Sequence, residues 1–239
     1  DLAALRSLVS DRTKYISVTT PHNPTGVCLG LAQLRQLADL AEERGIYLLV
    51  DETYRDMVFG EQLPLAATLS PRVISVSSLS KTYGLPGLRI GWLVCGDPQL
   101  LGKLLAAKEQ MHICGPVIDE EIAYRYWQHR DRYLPGIRAD IQLKFGLVKE
   151  WMRQQNDFEW VEPQGGCVCF PRLLRPQEGD LARFYCLLLK QYGTYVAPGH
   201  WFDFPEHYLR IGFGWPPEDR LTAGLTSLTS AWKSTVSVH

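Results

Sequence analysis

An unbroken apolar run, IYLLV at 46–50, is closed on its carboxyl side by Asp51, and it constrains the fold more than any other stretch. Runs of this kind belong to strands shielded on both faces, as in a parallel sheet flanked by helices. Upstream, Leu31, Leu34, Ala38 and Ala41 recur at helical spacing, with Arg35, Asp39, Glu42 and Glu43 elsewhere on the turn. Gly45 stands where a helix end takes a glycine. Before that helix, YISVT at 15–19 is short and β-branched and stops at Pro21. Strand, helix, strand makes a βαβ unit, which is right-handed in nearly all cases. VISV at 73–76 and IGWLV at 90–94 predict two further strands, so the first hundred or so residues read as α/β, with a mostly parallel sheet and flanking helices.

After Pro98 the pattern turns helical. Residues 117–128 and 137–152 predict helices, the second carrying Ile137, Ile141, Val148 and Met152 on one face, with Pro135 and Gly136 at its start. Short strands are expected near 158–161, 167–170 and 208–212, and helices over 181–192 and 221–232. Strands and helices mixed without strict alternation predict a smaller α+β domain. The boundary falls near residue 130, giving domains 1–129 and 130–239.

Composition narrows the function classes. With 46% hydrophobic and 21% charged residues, the 239-residue chain is neither disordered nor dependent on staples for its core. A formal net charge of −1 argues against a nucleic-acid partner, because such affinity rests on surplus Lys and Arg. No run approaches the roughly 18 apolar residues of a membrane span. The cysteines at 28, 95, 114, 167, 169 and 186 follow no disulfide or zinc spacing. Cys167 and Cys169 would share a strand face and could grip a soft metal, but no second Cys or His pair lies nearby. They read as structural thiols, and no metal is expected. A reducing, cytoplasmic setting follows, with no signal peptide visible. The first residue is Asp1 rather than Met, a hint that it is not a gene's natural beginning.

Four segments carry chemistry. In PHNPTG at 21–26, Pro24 drives Asn23 to an extended backbone and Gly26 frees the next turn, holding a polar amide at the sheet's edge; a plain turn reads the same way. Asp51, ending an apolar strand, needs a partner: a metal, a basic side chain, a protonated heterocycle, or the backbone of a helix it caps. Ser77, Ser78 and Ser80 precede Lys81, and Gly84, Gly87 and Arg89 follow it, a set of hydroxyls, glycines and cations that suits a phosphate ester. A desolvated lysine there could attack a carbonyl to form a Schiff base; a solvated loop lysine is the plainer alternative. In YLRIG at 208–212, Arg210 between apolar neighbours should meet a carboxylate, either a ligand's or one in an internal ion pair.

The order and spacing of PHNPTG at 21–26, DETY at 51–54, SLSKTYGLPGLRIG at 78–91 and YLRIG at 208–212 resemble the class I/II, aspartate aminotransferase-like enzymes of fold type I, which depend on pyridoxal phosphate. The resemblance runs from the first residues to the last helix. It implies that Lys81 holds the cofactor as a Schiff base and later shuttles a proton between the substrate's Cα and the cofactor. It implies that Asp51 keeps the pyridine nitrogen protonated, making the ring an electron sink. Asn23 and Tyr54 match the pair that hydrogen-bonds the cofactor's phenolic oxygen, Ser78 and Arg89 match phosphate ligands, and Arg210 matches the grip on the substrate's α-carboxylate. The implied reaction transfers an amino group between an L-amino acid and a 2-oxo acid in a cytoplasmic homodimer.

Relatives carry a substantial N-terminal portion ahead of the segment resembling Asp1 onward, so the expectation is a C-terminal fragment, a processed product or part of a split enzyme. Alternatives follow from the same residues. Ser78 to Lys81 fits the S-x-x-K pattern of serine acyl-enzymes, but the companion motifs are missing and Asn23, Asp51 and Arg210 go unexplained. A non-catalytic binding or oligomerisation module is the second alternative, and other pyridoxal-phosphate chemistry (lyase, oxidase or cyclase) is the third. The aromatic-rich stretch at 199–204 before Arg210 either packs in a core or lines a pocket for an amino acid with a larger side chain.

Overall fold

The computed structural model describes residues 1–236. They form two compact units, one of residues 1–22 and 28–137, the other of residues 23–27 and 138 onward.

The first unit opens with α1, Leu2–Leu8, whose N-terminal amides at Ala3 and Ala4 are capped by the Asp1 carboxylate. Strands β1 (Tyr15–Thr19), β2 (Tyr47–Asp51), β3 (Val73–Ser78) and β4 (Gly91–Cys95) form one sheet in that order. β1, β2 and β3 run parallel and β4 is antiparallel to β3. The crossover from β1 to β2 is α2, Leu31–Glu43, ending at Gly45 with φ 65°. Its apolar stripe of Leu34, Leu37, Ala38, Leu40 and Ala41 packs on Ile16, Leu48, Val50 and Val73.

β2 departs from the expectation of burial on both faces. Leu48 and Val50, toward α2, are fully buried, whereas Tyr47, Leu49 and Asp51 on the opposite face are half-buried. The partly buried α1 residues Leu2 and Leu5 pack against the same cluster as α2, so both helices cover one side of the sheet. The other face carries Leu49, Ile74, Val76 and the 38%-exposed Leu93.

Helices α3 (Pro98–Met111) and α4 (Val117–Gln128) follow β4, and α5 spans Arg130–Arg153. Pro135 lies inside α5 rather than at its start, so the helix begins earlier than its proline suggested. One interior hydrogen bond is lost there. Burial of Leu134 and stacking of Tyr133 on Tyr126, 5.2 Å between centroids, offset that loss.

In the second unit β6 (Val168–Cys169), β9 (Leu209–Gly212) and β8 (Ala197–Pro198) form an antiparallel sheet in that order, while β5 (Phe158–Glu159) pairs with β7 (Arg172–Leu173). Helices α6 (Leu181–Lys190) and α7 (Glu218–Val236) bury Phe184, Leu188, Leu225, Leu228 and Trp232. Residues 23–27 join this unit through Gly26, whose carbonyl accepts the amides of Gln164 at 2.8 Å and Gly165 at 3.1 Å. No helix among the described residues is long and apolar enough to cross a membrane.

Candidate active site

The first unit holds Asp51, Tyr54, Ser78, Lys81 and Arg89. Asp51 is the last residue of β2, where the apolar run delivers it to the carboxyl edge of the sheet. It caps no α-helix. Its Oδ1 instead accepts the Thr53 amide at 2.9 Å and the Thr53 hydroxyl at 2.6 Å, an Asx-type turn. No hydrogen bond among the described residues reaches Oδ2, so one carboxylate oxygen is fixed and the other is available. Tyr54, next in the chain, is buried.

Lys81 follows β3 in a segment tied down on either side of it. The buried Thr82 donates its hydroxyl to the Thr53 carbonyl at 2.7 Å, joining the lysine loop to the Asp51 turn. Tyr83 is buried against Trp92, Tyr126 and Trp127, and its hydroxyl donates to the Asp56 carboxylate. Burial, aided by Asp56, raises the Tyr83 phenol well above its ordinary range, so it stays a donor. Leu79 is buried with it. Lys81 between these anchors is exposed, and among the described residues its ammonium has no hydrogen-bond or ion-pair partner. The lysine's backbone is held while its amine is free.

Ser78 ends β3 with its hydroxyl accepting the Ser80 amide at 3.3 Å. Arg89 adopts a left-handed backbone, φ 54° and ψ 31°, which a residue with a side chain takes only at a cost. Its Nη1 donates to the Pro86 carbonyl at 3.0 Å, and the rest of the guanidinium is exposed. Arg89 also lines a cavity of about 700 Å³ with Trp92, Lys108, His112 and Trp127, in which Glu120 is the carboxylate on the wall. Arg89 and Lys108 give this lining two cations against the one carboxylate of Glu120.

The second unit holds Asn23 and Arg210 and brings them together. Arg210 sits on β9 between the buried Leu209 and Ile211, and its Nη1 donates to Asn23 Oδ1 at 3.3 Å. With Oδ1 turned to the guanidinium, the Asn23 amide nitrogen keeps its donors for another acceptor. The Arg210 guanidinium also lies over the Phe202 ring, 5.0 Å from its centroid. It forms no ion pair among the described residues, so the internal salt bridge that would have been its plainer explanation is not made. A half-buried cation held by a neutral amide and a ring is short of an anion.

Thr53 and Thr82 lie inside the sequence motifs without a role of their own, and Phe202 lies in the aromatic stretch that reads equally as core or as pocket wall. A threonine two residues after Asp51 is a legible Asx-turn signal. The bond from Thr82 to Thr53 and the Phe202–Arg210 contact arise only in the fold. No cluster of His, Cys, Asp and Glu able to hold a metal occurs among the described residues, and Cys169 is buried with its thiol pushed well up by burial.

Residues 1–225 match the family model for aminotransferase class I and II. The chain is 32% identical to capreomycidine synthase of Streptomyces vinaceus over 96% of its own length and 58% of that protein's. A pyridoxal-phosphate-dependent aminotransferase of Streptococcus suis superposes with a TM-score of 0.89 at 29% identity, covering 98% of this chain and 61% of the other. The pyridoxal-phosphate-dependent cyclase OrfR superposes with a TM-score of 0.82 at 30% identity, covering 97% and 62%. The chain thus spans about three fifths of the length of these relatives.

Proposed function

Because the chain belongs to the aminotransferase class I and II family, whose members are pyridoxal-phosphate-dependent enzymes of fold type I, we propose that it takes an L-amino acid by its carboxylate and passes the amino group to a 2-oxo acid. The single observation that carries this reading is the hydrogen-bonded chain from Asp51 through Thr53 to Thr82, next to an unpaired Lys81. The free Asp51 oxygen and the free Lys81 amine are two groups that pyridoxal phosphate would use, and Ser78 and Arg89 supply a hydroxyl and a cation for its phosphate. When bound, the cofactor supplies an aldehyde carbon for an amine and a ring that accepts the electron pair left at the substrate's Cα.

The residues divide the remaining work. Lys81 would hold the cofactor through its amine and is the base placed to carry the substrate's Cα proton. Asp51, anchored by Thr53, would keep a proton on the ring nitrogen. Tyr54 and the Asn23 amide nitrogen would serve as donors to the cofactor's phenolic oxygen, and Arg210 would orient the substrate by its carboxylate for abstraction of the Cα proton. The same reading takes the protein as a cytoplasmic homodimer. The apolar side chains on α3 and α4 support the dimer, with Met111, Val117 and Ile118 each more than 70% exposed.

A second reading, ring closure of an amino acid, is favoured by the likeness to capreomycidine synthase and OrfR. Borohydride reduction of the protein with pyridoxal phosphate, then peptide mapping, should yield one adduct, at Lys81, and none in Lys81→Ala. An adduct spread over surface lysines would sink both readings. A panel of ¹⁵N-labelled amino acids with 2-oxo acids separates them: label in a new amino acid means transamination, and a ring-closed product without transferred label means cyclisation.

A further inference from the structure

The Arg210 guanidinium is held from two directions that differ in kind. From its edge, Asn23 Oδ1 accepts Nη1 at 3.3 Å; from its face, the Phe202 ring stands 5.0 Å away. One contact leaves the planar group free to swing about the other, and the two together define its plane. The edge bearing Nη2 and Nε has no partner among the described residues and is the fork that a carboxylate needs. We propose that Phe202 is a positioning residue for ligand carboxylates, acting through Arg210.

The fold builds this placement deliberately into adjoining elements. Ala197 pairs with Arg210 and Pro198 with Leu209, so the strand leading to Phe202 lies beside the one carrying Arg210. A single 3₁₀ turn, Gly199–Phe202, follows at once, ends at Asp203 with φ 58°, and is closed by the Phe204 amide on the Gly199 carbonyl at 3.1 Å. Gly199 permits the close approach, since a Cβ there would lie 2.1 Å from the Pro205 carbonyl oxygen. The buried Phe170 meets the Phe202 ring edge-on, with centroids 5.6 Å apart and planes at 77°. The ring is therefore fixed before any ligand arrives. It rests on the reading of Arg210 as the carboxylate grip and adds to it the group that sets the grip's plane.

The test is a double-mutant cycle on the protein loaded with pyridoxal phosphate, with calorimetric titration of 3-phenylpropanoate, a carboxylate without an amine to react. Phe202→Leu should weaken binding about tenfold, the size of a part-desolvated cation–ring contact, and Phe202→Tyr should restore it to within about twofold. In an Arg210→Lys background, which lacks the planar fork, Phe202→Leu should change little, because the ring's effect passes through the guanidinium. An equal loss in both backgrounds would mean that the ring touches the ligand or merely packs, and the proposal falls. If Arg210→Lys alone binds as the wild type does, Arg210 is not the grip, and the functional reading falls together with the inference. Should Phe202→Leu fail to fold, the Arg210 Nε proton of the wild type carries the test: a ring-shifted resonance that persists on adding 3-phenylpropanoate supports the proposal, and an unshifted one overturns it.

Discussion

At Arg89 the backbone stands at φ 54° and ψ 31° with the side chain exposed, so the residue bears conformational cost without core contacts to offset it. Arg89→Gly should raise cofactor-free stability by about 1 kcal/mol, the left-handed penalty removed, as calorimetry would read. It should also weaken pyridoxal phosphate binding at least about tenfold through loss of a charged donor. At Gly26 the sign is opposite. Its φ is 72°, and a Cβ would lie 2.6 Å from the Pro163 side chain and 3.0 Å from the Gly165 carbonyl oxygen, so Gly26→Ala should cost about 3 kcal/mol in denaturant unfolding. Glu52 gives a pH dependence. Burial raises its carboxyl above the ordinary 4.5, against the lowering effects of Ser75, the Ala66 amide and Arg55. The folded chain then binds that proton more tightly than the unfolded one, so the stabilisation is complete below the unfolded pKa and is lost as pH rises through the folded value. Glu52→Gln keeps an acceptor for the Ala66 amide and should remove this fall, gaining on the wild type in unfolding midpoints measured upward from about pH 4.

Among the elements, the loop between β3 and β4 holds Lys81 by what flanks it. Thr82→Val preserves shape and deletes the donor to the Thr53 carbonyl. It should cost about 1–2 kcal/mol of stability and slow formation of the Lys81 adduct in borohydride trapping. Helices α3 and α4 present an exposed apolar face, and on the proposed homodimer Ile118→Asp should shift sedimentation from dimer to monomer. The β1–α2–β2 unit was legible because apolar period and punctuation speak locally: Leu34, Ala38 and Ala41 face the sheet as their spacing required. That β2 covers only one face was not legible, since apolar Leu49 gives no sign of which neighbour, if any, lies over it. Pro135 misled for a related reason, because local rules end a helix that the burial of Leu134 and the Tyr133–Tyr126 stack carry through. Asp51 at a strand's end, Lys81 just past one and Arg210 between apolar strand residues were visible as residue types. The Asn23–Arg210 bond spans 187 positions, and only a family resemblance could anticipate it.

On the scale of the whole molecule, the second unit is not a contiguous stretch of chain. It takes residues 23–27 from the midst of the first unit's sequence, and with them the Gly26 carbonyl that accepts Gln164 and Gly165 and the Asn23 oxygen that accepts Arg210. Residues 138–239 made alone should lose amide-exchange protection at Gln164 and Gly165 while the α6–α7 pair keeps it. Equal protection in the excised and intact forms would show that the borrowed segment contributes nothing. Arg210 has a further consequence for anyone handling the protein. A cation kept without a counterion does not discriminate strongly among the anions offered to it, so chloride, sulfate or buffer phosphate will compete for the place proposed for a substrate carboxylate. Apparent substrate affinity should then depend on which salt sets the ionic strength, falling in chloride relative to a bulky, poorly coordinating anion at the same concentration.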